Sequence, residues 1–480
     1  MSDSSAATRH PMAPFDALMY RSESDPHARS DMMAVFVLAA APDFGRFVET
    51  IDRASRLIPA LRQRVVDPPV PALLPVWAAD PDFDLRYHVR RMHLPQPGTM
   101  QTLLDFLAPL VMSPLDRARP LWEFTLVEGL EDGRAAFVAK MNHAITDGLG
   151  ARHYTEIIFD TEPEPAATPL PPIPAPVELT PRDLLGEALR HAPQSVVGST
   201  YRLLRLGLRP RSLSSVSAFA QSLRRVLAPS PVAPSPLLRR RSLQRRLLTT
   251  EIDLADLGRA AKVAGGSIND GFLAAICGGL RRYHEKNGVP IEALNIAIPI
   301  SLRTADDPAG GNRWAGARLA VPVAEPDPAT RIKCIRALVL QARHEPAADA
   351  LSLLAPVAAR IPSALLALAA GSGLAVHDLQ VSNVPGSPDP LYLAGVKVEQ
   401  MYPFGPLPGP AAMIVLNSYR QTAYVGINLD PAAITDPELF ATCLGQGVAE
   451  VLELAQPGPR NIATAPRRRA TKTTPRAARR

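Results

Sequence analysis

Apolar residues recur along this chain with two periods, one typical of helices and one typical of strands. The stretch Phe44–Ile58 has apolar residues at helical spacing. In Asp31–Leu38, by contrast, Met33, Val35 and Val37 alternate with their neighbours as in a strand. The two patterns alternate through most of the chain, which is typical of proteins that contain both helices and sheets.

The other predicted elements follow from the same patterns. Further strands are expected at Leu61–Val66, Phe83–Val89, Pro120–Val127, Arg134–Met141, Thr250–Leu254, Leu294–Ile300, Trp314–Val323, Val376–Asn383, Met413–Tyr419 and Thr422–Leu429. Further helices are expected at Met100–Val111, Leu149–Asp160, Asp256–Val263, Gly271–Tyr283, Ala329–Arg343 and Pro437–Leu454. The order predicts an α/β or α+β fold in two domains.

A proline-rich segment, Thr161–Val177, separates the two sets of elements. Core strands and helices tolerate little proline, so we expect a semi-rigid connector. In the following Pro181–Arg246, leucines and arginines recur as in a basic amphipathic helix, which could lie across the domains or on a membrane surface. The predicted order is a disordered N-terminus (1–10), a first domain (11–160), the connector with the basic segment (161–246), a second domain (247–457) and a disordered basic tail (458–480).

The net charge of +6 is unevenly distributed. Arg460–Arg480 contains eight basic residues and no acidic one, and Arg182–Arg246 contains thirteen arginines and two acidic residues. These segments, at +8 and +11, leave the rest of the chain at −13. An acidic body with two basic segments argues against a nucleic-acid partner and favours contact with an anionic surface or another polyanion.

The cysteines and the apolar stretches indicate in which cellular compartment the protein is expected. Cys277, Cys334 and Cys443 are far apart and form no CxxC pair, which argues against a disulfide framework or a zinc site. The N-terminus lacks the apolar core of a secretory signal, and arginine, proline and glycine interrupt the most apolar stretch, Leu351–Val376. We therefore expect a cytoplasmic chain without a transmembrane segment.

Candidate chemistry is concentrated where the predicted strand Arg134–Met141 gives way to a helix. The junction contains His143, Asp147 and Gly148, and the glycine permits a tight turn. A histidine there can lie at the mouth of a cleft, and the imidazole of histidine ordinarily titrates at about pH 6.5, where it can exchange a proton. From this motif alone, a merely structural histidine at a strand end is the alternative.

Several other reaction classes lack the residues that they need. The chain has no GxSxG nucleophile motif, no phosphate-binding glycine loop followed by the required elements, and no HExxH zinc motif. The spacing from His143 to Asp147 is also one residue shorter than the HxxxxD of glycerolipid acyltransferases. A histidine without an evident serine or cysteine partner favours direct transfer, in which the imidazole deprotonates a hydroxyl that attacks a carbonyl.

Six short motifs occur in an order that resembles one family. They are Pro11-Met12-Ala13-Pro14-Phe15-Asp16-Ala17-Leu18, Pro120-Leu121-Trp122-Glu123, His143-Ala144-Ile145-Thr146-Asp147-Gly148, Ser267-Ile268-Asn269-Asp270, Pro299-Ile300-Ser301-Leu302-Arg303 and Ser382-Asn383-Val384-Pro385-Gly386. From about Pro11 to Leu454 the chain resembles the bacterial wax ester synthase/diacylglycerol acyltransferase family, in the chloramphenicol acetyltransferase-like and condensation-domain superfamily. The resemblance implies a two-domain fold, each domain a mixed sheet with flanking helices.

The same resemblance implies an activity. A fatty acyl group would move from acyl-CoA to diacylglycerol or to a long-chain alcohol, without a cofactor or a metal. His143 would be the general base, and Asp147 a structural carboxylate for which Arg303 is the best candidate partner. Gly148 would support the same loop.

The later motifs allow a functional and a structural interpretation. Asn269 and Asp270 match the family's second motif, but they could equally form only a helix cap behind Ser267. Ser382 and Asn383 could donate hydrogen bonds to a developing oxyanion or to CoA, or they could form a plain turn. Trp122 is expected to be a core anchor.

One position departs from the family pattern, because Asn142 stands where a first histidine is usual. The catalytic histidine of the superfamily is the later one, so the departure concerns rate and substrate choice more than reaction type. The open alternatives are a non-catalytic lipid- or membrane-binding paralogue, an acyltransferase with another alcohol acceptor, and a polyanion-binding protein. The resemblance implies peripheral association with the inner membrane or lipid droplets.

Overall fold

The computed structural model describes residues 9–146, 148–166, 169–187, 190, 232–301, 314–344, 355–356, 358–362 and 377–456. The strands are β1 (Arg9–Pro11), β2 (Asp31–Leu38), β3 (Gln63–Val66), β4 (Val76–Ala79), β5 (Val89–His93), β6 (Trp122–Glu128), β7 (Ala135–Asn142), β8 (Arg246–Asp253), β9 (Ala293–Ser301), β10 (Trp314–Pro322), β11 (Leu379–Val384), β12 (Tyr392–Leu393), β13 (Val396–Phe404), β14 (Ala412–Tyr419) and β15 (Thr422–Leu429). The helices are α1 (Pro14–Ser22), α2 (Phe44–Leu57), α3 (Leu85–His88), α4 (Met100–Met112), α5 (Gly148–Ile158), α6 (Leu254–Val263), α7 (Ile268–Lys286), α8 (Pro328–Arg343) and α9 (Pro437–Glu453).

Most predicted elements are confirmed, with boundaries shifted by a few residues. The strand predicted at Phe83–Val89 is wrong, because Asp84 accepts a hydrogen bond from the Arg86 backbone and begins the helical turn α3. The strand predicted at Leu61–Val66 is half right, since a 3₁₀ turn beginning at Pro59 precedes β3. The pattern did not predict α1, β1, β4, β12 or β13.

Two six-stranded sheets form the body of the protein. The first has the order β12-β13-β2-β7-β6-β5, and the second has the order β10-β9-β11-β14-β15-β8. Each combines parallel and antiparallel neighbours, such as β5 parallel to β6 and β7 antiparallel to β6. The predicted mixed sheets are confirmed, and neighbouring predicted strands form two antiparallel hairpins, β6–β7 and β14–β15. A small sheet, β1-β4-β3, lies beside them.

The strand β13 joins the two large sheets. Although it lies in the range predicted for the second domain, it pairs with β2 of the first sheet. The Tyr402 hydroxyl on β13 donates to Glu251 of β8, and the Tyr424 hydroxyl on β15 donates to the Glu399 carbonyl of β13 at 3.0 Å. A Cβ atom at Gly426 would lie 1.8 Å from the Pro403 carbonyl oxygen, so glycine permits this close approach. The strand β13 therefore contacts both large sheets.

Each large sheet has its own apolar core. In the first, Phe137 of β7 lies with its ring centroid 5.5 Å from that of Phe47 on α2. In the second, α7 is buried along most of its length and packs on α9, where a Cβ atom at Gly447 would lie 2.2 Å from the Ala275 carbonyl oxygen. Within the described residues, no single helix is long and apolar enough to cross a membrane, and α6 with α7 meets that criterion only as a pair bent by 91°.

Some sequence-based predictions lie on residues outside the described ranges. These are residues 1–8, most of the basic segment (191–231), most of the apolar stretch Leu351–Val376 and the whole basic tail (458–480). Arg9 and His10, which were expected in a disordered N-terminus, form β1 with Pro11. Residues 169–187 of the connector region pass close to the first half, where the Val177 amide donates to the Ala79 carbonyl at 3.1 Å.

Candidate active site

A cavity of about 680 Å³ is lined by residues of both large sheets. Four of the residues singled out in the sequence line it: His143 and Asn269, and the neighbours Ser382 and Asn383. They come from the turn after β7, the start of α7 and the strand β11. The fold thus brings together side chains that are up to 240 positions apart in the sequence.

His143 lies in the turn that follows β7. Its backbone amide donates to the Ser30 carbonyl at 3.0 Å, and the Ile145 amide donates to the Asn142 carbonyl at 3.0 Å. These bonds end the strand and reverse the chain before α5 begins at Gly148. His143 is half-buried and lies on the cavity wall, as a proton-transfer group needs to be.

Asn142 is fully engaged immediately behind His143. Its side-chain nitrogen donates to Glu23 at 2.8 Å and to Asp31 at 2.9 Å, and its side-chain oxygen accepts from the Ala144 amide at 3.0 Å. The residue is 1% exposed. Asn142 therefore holds the His143 turn to Glu23, the residue that follows α1, and to β2, a role that a side chain with two donor hydrogens and an acceptor fulfils.

Glu23 connects this network to the backbone at His143. It accepts hydrogen bonds from the Ser30 amide and hydroxyl, and from Arg117 at 3.2 Å. Burial, and then the nearby Asp31 carboxylate, raise the pKa of Glu23 above its usual range. Because Ser30 in turn accepts from His143, Glu23 and Asn142 hold the same turn from two sides.

The motif at the start of α7 divides into two roles. Asn269 lines the cavity, whereas Asp270 is 2% exposed and forms a capping box with Ser267. The Asp270 carboxylate accepts from the Ser267 amide and hydroxyl, both at 2.8 Å, and pairs with Arg336 at 3.4 Å. The helix-cap interpretation thus describes the contacts of Asp270, while Asn269 stays a candidate for substrate contact.

Ser382 and Asn383 lie within β11, which pairs directly with β14. The glycine that follows, Gly386, passes so close to β14 that a Cβ atom would lie 2.0 Å from the Ser418 carbonyl oxygen. Beside them Asn417, which no motif had indicated, also lines the cavity. Its side-chain oxygen is buried and has no hydrogen-bond partner among the described residues. An unsatisfied buried acceptor is costly, which makes Asn417 a further candidate for substrate contact.

The remaining predicted positions are structural or lie outside the described residues. Trp122 is fully buried and its indole nitrogen donates to the Leu61 carbonyl at 2.8 Å, so the predicted core role is confirmed. Gly148 is the first residue of α5. Asp147 and Arg303 lie outside the described residues, so their pairing stays a prediction.

Another part of the cavity lining is largely apolar, although Arg152 and Glu156 of α5 also line the cavity. It includes Met32 of β2, Met141 of β7, and Tyr154 and Ile158 of α5. The sequence analysis did not predict that these residues line a site. It recognised the strand β2 from Met33, Val35 and Val37, which alternate along the strand with Met32. The continuous apolar run in β2 was the available signal, since it predicts a strand that is covered on both faces.

This arrangement can hold an apolar chain with a reactive carbonyl at its end. The His143 imidazole at the cavity wall is of a type that can accept a proton, and the amide and hydroxyl groups on β11 and α7 are of types that can donate hydrogen bonds. Within the described residues, no group of three or more His, Cys, Asp or Glu side chains could hold a metal ion.

The fold is that of the two-domain acyltransferases and condensation domains. The structure is similar to the wax ester synthase/diacylglycerol acyltransferase from Marinobacter aquaeolei, with a TM-score of 0.61 and 22% identity over 93% of this chain and all of that one. It is also similar to the starter condensation domain of rhizomide synthetase, with a TM-score of 0.59 and 16% identity over 94% of this chain and 96% of that one. The predicted fold class is confirmed.

The sequence identifies the family. Residues 12–272 match the wax ester synthase/diacylglycerol acyltransferase catalytic domain, and residues 310–451 match the C-terminal domain of the same family. A Mycobacterium tuberculosis protein named as a diacylglycerol O-acyltransferase is 45% identical over 94% of this chain and 93% of its own length. A second protein of that name from the same species is 33% identical over 70% of this chain and 74% of its own length.

The chain belongs to the wax ester synthase/diacylglycerol acyltransferase family. The prediction of an O-acyltransferase that acts on lipid alcohols is thereby confirmed.

Proposed function

We propose that the protein transfers a fatty acyl group directly from acyl-CoA to diacylglycerol or a long-chain alcohol, with His143 as the general base. The imidazole would remove the proton of the acceptor hydroxyl as the oxygen attacks the thioester carbon. The CoA thiolate would then leave and take that proton. The single observation that carries this proposal is the position of His143 on the wall of a cavity that both sheets line.

The surrounding residues have defined parts in the proposed step. Asn142 and Glu23 hold the turn that carries His143. Asn269, Ser382 and Asn383 are proposed to donate hydrogen bonds to the thioester oxygen as negative charge develops, or to CoA. Donors fixed in place before the reaction stabilise such charge with little reorganisation.

A transfer assay tests the proposal. Purified full-length protein is incubated with labelled palmitoyl-CoA and either dioleoylglycerol or hexadecanol, and the lipid products are separated. We expect labelled triacylglycerol, labelled wax ester or both, and release of CoA in equal amount. Hydrolysis to free palmitate alone, or no reaction with either acceptor, would contradict the proposal.

We further propose that the protein works peripherally at the inner membrane or at lipid droplets. The support is the basic tail, in which each basic residue near an anionic surface adds about 1 kcal/mol of attraction. Truncation after Gln456 should weaken binding to phosphatidylglycerol-containing vesicles at low salt. A neutral phosphatidylcholine vesicle is the control, and equal binding of the full and truncated chains would refute a role for the tail.

A further inference from the structure

The cavity continues from His143 into a slot along the first large sheet. The floor of the slot consists of three successive cross-strand pairs of β2 and β7, namely Met32 with Met141, Ala34 with Ala139, and Phe36 with Phe137. These residues share one face of the sheet because alternate residues of a strand point to the same side. Every pair is apolar, so the slot suits a hydrocarbon chain.

The helix α5 covers this slot. Tyr154 and Ile158 of α5 line the cavity, and Phe159 lines it just after the helix ends. The helix begins near His143 and ends near Phe36, where the ring centroids of Phe36 and Phe159 are 4.6 Å apart. The helix and the floor therefore run along the same path away from His143.

The three pairs differ in size along this path. The alanine pair leaves room in the middle of the slot, whereas the phenylalanine pair narrows it farther from His143. There Phe36, Phe137 and Phe159 form an aromatic wall, with ring centroids 4.6 to 5.9 Å apart. All three side chains are at most 4% exposed, and Phe137 also packs on Phe47 of α2. Such packing makes the wall difficult to displace.

Strand and helix give the same length for the slot. The five residue-to-residue steps from Asn142 to Phe137 span about 17 Å at about 3.3 Å per strand residue. The eleven residues of α5 span a similar distance, about 17 Å, at about 1.5 Å per helical residue. With carbon–carbon bonds of about 1.5 Å, an extended hydrocarbon advances about 1.3 Å per carbon, so about thirteen carbons fit before the wall.

We propose that the aromatic wall sets the length of the unbranched hydrocarbon chain that the enzyme accepts, with an optimum of about 14 to 16 carbons when the reacting end is included. This inference rests on the proposed function of His143. The hydrocarbon chain in the slot belongs either to the acyl thioester or to the alcohol, since the hydrocarbon chains of both have the same apolar chemistry. Each methylene that the slot buries should improve binding about fourfold, and methylenes beyond the wall should add nothing.

Two substitutions test the wall in opposite directions. Ala139→Leu fills the slot two residues nearer to His143, which is about 7 Å and corresponds to about five carbons. Phe159→Ala removes one ring of the wall, and Phe159→Leu is the milder version if the alanine variant does not fold. Val138→Ala is the matched control, because Val138 is a buried neighbour on the other face of β7 and pairs with Val35 outside the cavity.

The experiment has two activity arms. The first varies saturated acyl-CoA from 8 to 20 carbons with hexadecanol fixed, and the second varies the alcohol over the same range with palmitoyl-CoA fixed. In one arm Ala139→Leu should shorten the optimum by about five carbons, and Phe159→Ala or Phe159→Leu should lengthen it by at least two. The arm that shifts identifies the chain that occupies the slot.

Equilibrium binding of both series is measured in parallel. Absence of transfer with every pair would defeat the proposed function, and the binding profiles would then decide the inference about the wall. A shift of the length optimum in the predicted directions supports the inference. Unchanged profiles in folded Ala139→Leu and Phe159 variants, or an equal shift in Val138→Ala, would overturn it.

Discussion

Two histidines next to the first large sheet, His143 and His88, lie in similar local structure but in different environments. Each lies at a junction of strand and helix, His143 between β7 and α5, and His88 between α3 and β5. His88 is fully buried and stacks on Trp122 at 4.4 Å, and its Nδ1 donates to the Trp122 carbonyl at 2.8 Å. His143 is half-buried and lines the cavity. Access to a cavity, rather than position in the chain, distinguishes a candidate base from a core side chain.

Replacing His143 should produce the largest effect. We expect His143→Ala to lower the transfer rate about 10²–10⁴-fold, because general-base catalysis contributes that much. The free energy of unfolding should change by less than about 1 kcal/mol, since a half-buried side chain at a cavity wall makes few packing contacts. Steady-state kinetics and urea denaturation measure the two quantities. Retention of more than a tenth of the activity would remove His143 from the proposed mechanism.

His88 should affect stability through pH. Burial lowers the pKa of His88 to about 4, below the value of about 6.5 expected in the unfolded chain. The folded state therefore excludes a proton that the unfolded state binds. Its contribution is fully present above about pH 6.5 and falls by up to about 3 kcal/mol as the pH drops to about 4.

A comparison of the unchanged protein with the variant His88→Phe separates the contribution of His88 from that of the carboxylates, which also titrate in this pH range. His88→Phe keeps an aromatic ring in the stack on Trp122 and cannot be protonated. Urea denaturation of both chains between pH 7 and pH 4 should show a shallower loss of stability in the variant, with transfer activity at pH 7 retained. Parallel pH curves for the two chains would mean that His88 does not titrate on unfolding.

Asn142→His should have a smaller effect. A histidine cannot donate to Glu23 and Asp31 while it also accepts from the Ala144 amide, so at least one buried bond is lost. We expect a loss of about 1–3 kcal/mol in unfolding free energy and a change in kcat/KM of less than about tenfold. A hundredfold gain in kcat/KM would show that the asparagine limits the assayed reaction.

Asp270→Ala should have the smallest effect of the four. It removes a capping box at the start of α7 and should cost about 1 kcal/mol of stability. Transfer activity of the folded variant should be unchanged, whereas Asn269→Ala, one residue earlier on the cavity, should lower it. If both variants lower kcat/KM equally at unchanged stability, Asp270 belongs to the site as well.

Sequence patterns predicted the elements whose signals are local. The boundaries of β2 were predicted correctly, and Ser267 is the N-cap of α7 as expected, because the capping contacts lie within four residues, although the helix begins at Ile268 and not at the predicted Gly271. The helical turn α3 was missed because four residues are too few to establish a period. β13 was missed because Lys397, Glu399 and Pro403 interrupt its apolar pattern and its partner β2 lies more than 350 residues earlier.

The candidate site combines features that are local in the sequence with contacts that are not. His143 was identified by its junction and its motif, and Asn142 was identified as a departure from the family. Its partners Glu23 and Asp31 lie 119 and 111 residues away, and sequence periodicity contains no information about such contacts. The register that aligns the alanine pair and the phenylalanine pair of the slot is equally hidden, since only strand pairing defines it.

The insertion of β13 beside β2 has a consequence for synthesis on the ribosome. A ribosome adds about 5–20 residues per second, so β13 follows β7 after a delay of roughly 13–50 s. During that interval one edge of β2 has no partner in the emerging chain, and such edges readily pair with other chains. We expect nascent chains that end between β7 and β13 to engage chaperones, and full-length chains to release them.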